Sequence, residues 1–167
     1  MSRLQRSCRG VIAYAAGNSG QTLVLTDPVL AHLDRHRQTT AMSKEAGGQL
    51  FARFNGNNIT LERATGPRRS DQRSWLSFIP DRIAERREIK RLFKEGLHYV
   101  GDWHTHPEPI PRPSKTDAHS FLEVFRKSRH QLAGFVMIIV GTAAIPAGLF
   151  VGVSNGIKHE QLEPLKT

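Results

Sequence analysis

Two histidines and an aspartate near the middle of the chain have the types and spacing of a metal site. If the segment that contains His104 and His106 is a strand, both side chains point to one face, because side chains alternate with period two. Asp117 would then lie in the first turn of the following helix. Three protein ligands leave a fourth coordination position open, which is typical of a hydrolytic zinc site, whereas four ligands close a structural one. The sequence therefore predicts one Zn²⁺ ion bound by His104, His106 and Asp117.

Ser114 has two candidate roles in this motif. The pattern Ser114-Lys-Thr-Asp117 before an apolar helix is close to a capping box, in which the serine hydroxyl binds a free backbone N–H. The same hydroxyl could instead stabilise an oxyanion during hydrolysis. A capping hydroxyl is less free for that second task, so both roles stay open at this point.

A zinc hydrolase also needs a carboxylate that takes a proton from water and passes it to the leaving amine. Several acids of the chain could serve, and the sequence alone does not rank them. Glu45 is one candidate, since Gly47 and Gly48 follow it and allow close approach of the backbone beside a strand.

Other zinc enzymes are excluded by spacing and by the single cysteine. The helical His-Glu-x-x-His motif is absent, and a zinc deaminase needs more thiolates than Cys8 supplies. A β/α barrel needs about 200 residues or more, and this chain has 167. One cysteine also rules out an internal disulfide and favours a reducing compartment, so we expect a cytoplasmic protein.

The composition favours one soluble domain, with 38% hydrophobic and 23% charged residues. The uncharged stretch 135–153 approaches the ~20 residues of a membrane span. Glycines and a proline interrupt it, however, so we predict two buried strands around a loop and no membrane contact.

The net charge of +9 raises the alternative of a nucleic-acid-binding domain. Most basic residues lie on predicted helix faces or in a loop, without an aromatic-rich basic motif, so nucleic acid is not favoured as a partner. An acidic protein partner, or solubility alone, explains the charge equally well.

The elements that must position the motif alternate between strands and helices, which predicts a single α/β or α+β domain. The predicted elements are a strand over 22–26, a helix from 27, a hairpin over 49–54 and 58–63 with Asn55-Gly56 at its turn, a loop over 66–74, a helix from Pro80-Asp81 to Gly96, a strand over 97–106, a helix over 116–132 and two final strands. Asp27 is the expected cap of the first helix. Ile83, Ile89, Leu92 and Phe93 are the expected inner face of the second. We divide the chain into an N-terminal segment 1–21, a domain 22–157 and a loosely held tail 158–167.

Taken together, Glu45-Ala-Gly-Gly-Gln-Leu-Phe51, Gly101-Asp-Trp-His-Thr-His-Pro107 and Ser114-Lys-Thr-Asp117 resemble the JAMM/MPN metalloprotease motif. That motif is an upstream glutamate, His-Ser/Thr-His-Pro, and Ser-x-x-Asp, with seven residues between the second histidine and the serine. The resemblance implies zinc on the two histidines and Asp117, Glu45 as general base and acid, and Ser114 at the oxyanion. It also implies a cytidine-deaminase-like fold with a curved mixed sheet between helices, and hydrolysis of amide or isopeptide bonds after the C-terminus of ubiquitin-like or otherwise conjugated proteins.

Within that family, the short single-domain form and the Glu45-Ala-Gly-Gly48 start resemble prokaryotic JAB-type proteases, including those of CBASS anti-phage operons. The resemblance implies removal of targets joined to the C-terminus of a cGAS-like nucleotidyltransferase. It also implies a functional link to ubiquitin-activating-like and conjugating-like enzymes. The alternative is a catalytically silent MPN scaffold that only binds partners. The complete motif argues against it, because scaffold members typically lack part of the set.

Overall fold

An eight-stranded mixed sheet forms the centre of the protein, and three helices cover its faces. The computed structural model describes residues 10–127 and 134–166. The elements are β1 (Ile12–Ala15), β2 (Thr22–Leu25), α1 (Asp27–Arg35), β3 (Gly47–Asn55), β4 (Asn58–Ala64), β5 (Gln72–Arg73), β6 (Phe78–Ile79), α2 (Arg82–Lys94), β7 (His98–Thr105), α3 (Lys115–Lys127), β8 (Phe135–Val140), β9 (Leu149–Ser154) and β10 (His159–Gln161). The sheet order is β1-β2-β4-β3-β7-β8-β9-β10. The pairs β2–β4 and β7–β8 are parallel and the others are antiparallel, so the predicted α+β class is confirmed.

The predicted hairpin is present as β3 and β4, which pair antiparallel from Leu50 opposite Ala64 to Asn55 opposite Asn58. Gly56 has a φ of 57° at the turn, a left-handed conformation that glycine adopts without steric cost. The expected loop 66–74 is partly wrong, because β5 pairs with β6 in a separate two-stranded ribbon.

Strand β8 shows how the sheet separates two cores. Its even-numbered side chains share a core cluster with Leu30 and Leu33 of α1. Its odd-numbered side chains form another cluster with Phe121 of α3. This two-sided burial explains the uncharged stretch 135–153, which forms β8 and β9 as predicted. Within the described ranges, no helix is long and apolar enough to cross a membrane.

The start of α1 differs from the prediction. Asp27 is already helical, and the preceding Thr26 occupies the cap position without a side-chain cap bond. The Thr26 hydroxyl instead donates to the Leu61 carbonyl oxygen at 2.8 Å, which ties the helix to β4. The prediction that Asp27 caps α1 is therefore wrong, although its charge in the first turn suits the helix dipole.

The inner face of α2 also differs from the prediction. Asp81 caps the helix by accepting the backbone N–H groups of the second and third helical residues, as expected for a start at Pro80-Asp81. Leu92 is buried, but Ile83 and Phe93 are 62% and 61% exposed, so their assignment to the core is wrong. Glu85, Ile89 and Leu92 share one helical stripe instead, and 83 and 93 lie off it.

Both ends of the described chain join the sheet. β1 pairs with β2, and β10 pairs with β9. Leu162 is buried, and the Leu165 N–H donates to the Ala13 carbonyl oxygen at 2.8 Å. The expectation of a loosely held tail is therefore wrong for residues 159–165. The predicted continuation of α3 from 128 to 132 lies outside the described residues.

Candidate metal centre

Strand β7 presents the two histidines on one face of the sheet. Trp103 and Thr105 are buried on the opposite face, while His104 and His106 line an open cleft, as the period of two requires. The ladder continues past the strand end, because the His106 N–H donates to the Val140 carbonyl oxygen at 2.9 Å. Neighbouring strands on both sides thus fix the backbone that carries the two imidazoles.

Asp117 comes from the first turn of α3, which begins directly after Ser114. The Ser114 N–H donates to Asp117 Oδ2 at 2.7 Å, and the Asp117 N–H donates to Ser114 Oγ at 3.0 Å. This reciprocal pair is a capping box, so the capping role of Ser114 is present in the structure. A hydroxyl has one donor and two acceptor sites, and Ser114 is exposed to the cleft. Capping therefore leaves its proton free to donate.

Donor atoms of the three predicted ligands converge. The Nε2 atoms of His104 and His106 lie 3.2 Å apart. Asp117 Oδ1 lies 3.3 Å from His104 Nε2, and Asp117 Oδ2 lies 3.1 Å from His106 Nε2. Around a tetrahedral ion with bonds of ~2.0–2.1 Å, neighbouring donors lie roughly 3.3 Å apart. These side chains form a group able to hold one metal ion, and their spacing fits it.

The electrostatics of the three side chains are those of a site that attracts a cation. Burial acts to raise the pKa of Asp117, but hydrogen bonds from His104 and His106 outweigh it and hold the pKa well below its usual range. The hydrogen bond to Asp117 raises the pKa of His106 above its ordinary value, against the effect of burial. The Asp117 carboxylate therefore stays charged, and it would stabilise a cation bound between the three side chains.

Glu45 lies at the same end of the cleft. Gly47 of β3 is opposite His104, and continuing that antiparallel register by two residues puts Glu45 opposite His106. The Glu45 N–H donates to the Ser74 carbonyl oxygen at 2.7 Å, and its carbonyl oxygen accepts from Arg73 Nε at 2.8 Å. Burial raises the pKa of the Glu45 carboxyl, opposed by attraction to the two imidazoles. A raised pKa brings a carboxylate closer to the working range of a general base.

The glycines after Glu45 allow the close backbone approach that the sequence suggested. A Cβ on Gly48 would lie 1.7 Å from the Thr65 carbonyl oxygen, and one on Gly47 would lie 2.7 Å from the ring of Phe78. Any larger residue at position 48 would push β3 away from the segment that follows β4, and Glu45 would move with it.

The cleft also contains residues that the sequence reasoning missed. Its volume is about 590 Å³, and its walls include Trp75, Leu76, Arg82, Glu85 and Asp102. Asp102 accepts a hydrogen bond from the Tyr99 hydroxyl at 2.9 Å. Burial raises the pKa of Asp102 to about 7. The period of two was the available signal, since 102, 104 and 106 share one face of β7.

Two imidazoles that converge with the Asp117 carboxylate, and the Glu45 carboxylate in the same cleft, are typical of the class of metal-dependent hydrolases. A family profile of prokaryotic homologues of the JAB domain matches residues 27–150. The chain therefore belongs to this family, and the resemblance drawn from its motifs is confirmed.

Similar proteins extend over most of the chain. An Escherichia coli protein named CD-NTase/cGAS isopeptidase is 30% identical over 81% of this chain and 85% of its own length. A Pseudomonas aeruginosa protein of the same name is 28% identical over 90% of this chain and 97% of its own. The solution structure of a Desulfitobacterium hafniense protein has a TM-score of 0.53 at 24% identity, covers 85% of this chain and 88% of that one, and supports the fold.

Proposed function

We propose that the protein is a zinc-dependent isopeptidase that cleaves the amide bond after the C-terminus of a conjugated protein. The observation that carries the proposal is the convergence of His104, His106 and Asp117 beside Glu45 in one cleft. Three metal ligands with a separate carboxylate nearby are typical of a hydrolytic metal site, and this chain has all four side chains. A silent scaffold would need none of these side chains in register, so the complete set disfavours that alternative.

His104, His106 and Asp117 would hold the ion, and two imidazoles with one carboxylate suit Zn²⁺. When bound, zinc supplies a Lewis acid that lowers the pKa of water to ~7 and polarises a carbonyl group. The three side chains would supply three ligands, and the cleft beside them would admit the substrate. Their roles as ligands are part of the proposal.

Glu45 is the proposed general base and acid. Its carboxylate takes one proton from the attacking water, whose oxygen forms the new bond to the carbonyl carbon. The carbon–nitrogen bond then breaks, and Glu45 gives the proton to the departing amine. Ser114 is the proposed oxyanion donor, because its hydroxyl proton is not used in the capping box.

The proposed substrate is a cGAS-like nucleotidyltransferase joined through its C-terminus to a target protein, or a similarly conjugated ubiquitin-like protein. Similar Escherichia coli and Pseudomonas aeruginosa proteins are named CD-NTase/cGAS isopeptidase, which supports this choice. The protein would then reverse the conjugation that functionally linked ubiquitin-activating-like and conjugating-like enzymes carry out in bacterial anti-phage defence.

The test is cleavage of a cGAS-like nucleotidyltransferase that carries a C-terminal fusion, with mass spectrometry of the new termini. We expect wild type to cut at the junction, chelator to abolish cutting and Zn²⁺ to restore it. Glu45→Ala should not cut. Glu160→Ala, which removes an exposed carboxylate on the edge strand β10, is the matched control and should cut normally. Equal cutting by Glu45→Ala and wild type would refute the assigned base, and an uncut junction in every sample would refute the substrate.

A further inference from the structure

Thr105 lies between the two histidines but points into the opposite face of the sheet. It is completely buried. Its hydroxyl donates to Gln38 Oε1 at 2.8 Å and accepts from the Ala46 N–H at 2.9 Å. Its own N–H donates to the Ala46 carbonyl oxygen at 2.9 Å. Thr105 therefore forms two hydrogen bonds to Ala46, one through its hydroxyl and one through its backbone N–H, and Ala46 is the residue next to Glu45.

Gln38 fixes the direction of the Thr105 hydroxyl. It is buried, and its amide nitrogen lies 3.5 Å from the carbonyl oxygens of both Ser43 and Trp75. Because those contacts use the amide nitrogen, the amide oxygen accepts, and the hydroxyl proton of Thr105 is directed to it. The free lone pair of Thr105 then faces Ala46. Satisfied buried networks of this kind hold one geometry, since any alternative leaves a polar group without a partner.

The segment that carries Glu45 needs such a support. Residues 37–46 form no regular helix or strand between α1 and β3. On one side, Arg73 and the Ser74 carbonyl oxygen hold the backbone of Glu45. On the other side, Thr105 holds Ala46. Of these two sets of contacts, only the one from Thr105 links the segment of Glu45 to β7, the strand that carries the two histidines.

We propose that Thr105, oriented by Gln38, is a positioning residue that keeps Glu45 in register with His104 and His106. The role rests on the proposed function, because it acts through Glu45. A displacement of about 1 Å in a catalytic group can lower a rate about 100-fold. Valine has the shape of threonine without its hydroxyl, and serine keeps the hydroxyl, so the two substitutions separate packing from hydrogen bonding.

The experiment compares Thr105→Val, Thr105→Ser and wild type in the cleavage assay, together with zinc content and the thermal midpoint. We expect Thr105→Val to lower kcat about 10- to 100-fold, with KM within about twofold and full zinc content. Thr105→Ser should recover kcat to within about threefold. In metal-free protein, the Ala46 amide should exchange faster with solvent in Thr105→Val than in the other two, while the Leu61 amide should be unchanged.

Gln38→Met is the second variant, since it keeps the volume of the side chain and tests the network if Thr105→Val does not fold. It should lower kcat in the same direction with zinc retained. Wild-type kcat in a folded Thr105→Val or Gln38→Met protein would overturn the positioning role, as would a loss of activity that follows loss of zinc. If either result is obtained with a junction that wild type cuts and Glu45→Ala does not cut, only the positioning role is refuted and the proposed function stands. A wild-type protein that cuts no junction would refute the proposed substrate, and equal exchange of the Ala46 amide in Thr105→Val and wild type would then overturn the positioning role.

Discussion

Asp117 uses one carboxylate for two purposes. Oδ2 accepts the Ser114 N–H and also lies 3.1 Å from His106 Nε2, while Oδ1 faces His104. The capping box therefore sets the rotation of the carboxylate that would bind the metal. The local rule for starting a helix and the geometry of the site are satisfied by the same residue pair.

Removal of a ligand and removal of the base should have different effects on metal content. His106→Ala loses one of three donors, so we expect it to lose zinc and activity together. Glu45→Ala removes no donor and should keep zinc while losing turnover. Metal analysis after dialysis against buffer checks both, and stoichiometric zinc in His106→Ala would remove that residue from the ligand set.

Ser114→Ala should slow cleavage by about 10²–10³-fold if the hydroxyl donates to the oxyanion. It should also destabilise the protein by about 0.5–2 kcal/mol through loss of the cap. Asp81→Ala is a matched control, because it removes the cap of α2 and should leave the rate unchanged. Rates and urea unfolding of both variants separate the two roles, and a Ser114→Ala protein that loses only stability would leave Ser114 as a cap.

At the scale of elements, α1 packs its two histidines against the back of β7. The rings of His32 and His36 lie 5.5 and 5.4 Å from that of Trp103, the residue before His104. His32 Nε2 donates to the Gly66 carbonyl oxygen at 2.7 Å, and His36 Nδ1 donates to the His32 carbonyl oxygen at 2.8 Å. Burial lowers the pKa of both histidines, and these hydrogen bonds offset it only in part.

The packing of α1 therefore predicts lower stability in acid. An unfolded histidine has a pKa of about 6.5, so as pH falls through that value the unfolded state takes up protons that the folded state resists. The free energy of unfolding should therefore decrease as pH falls from about 6.5 toward the lowered pKa of the folded histidines. At pH values well above about 6.5, both states hold these histidines neutral, and the free energy of unfolding should not change with pH on their account. Urea unfolding from about pH 7.5 to 5 measures this. The loss should be smaller in His36→Gln than in wild type, and equal slopes in the two proteins would contradict the assignment.

Element patterns that depend on short-range periodicity could be predicted from the sequence, and contacts across the sheet could not. The spacing of His104, His106 and Asp117 follows from the repeats of a strand and a helix, and the structure brings them together. The hydrogen bond from Thr105 to Gln38 joins residues 67 positions apart and has no local signature. Phe93 was misassigned because its apolar side chain suggested burial, although the stripe of α2 excludes it.

At the scale of the whole molecule, the ends of the described chain close the two edges of the sheet. β10 covers the outer edge of β9, and Leu162 is buried in the same cluster as Trp103. The Tyr14–Pro164 bridge also links the segment after β10 to β1 at the opposite edge. The segment 159–165 is therefore part of the support of the sheet that carries the site.

Deletion of residues 159–167 should therefore destabilise the protein without touching the metal centre. Burial of one leucine contributes about 1.5–3 kcal/mol, and an uncovered β9 edge offers free backbone groups for pairing with other chains. We expect a decrease in the free energy of unfolding of at least ~2 kcal/mol, concentration-dependent aggregation, and zinc binding preserved in the folded fraction. Leu162→Ala should reproduce most of the destabilisation without the aggregation, because it leaves β10 in place. Urea unfolding, light scattering and zinc analysis distinguish these effects, and a truncated protein as stable as wild type would show that the sheet does not depend on its last strand.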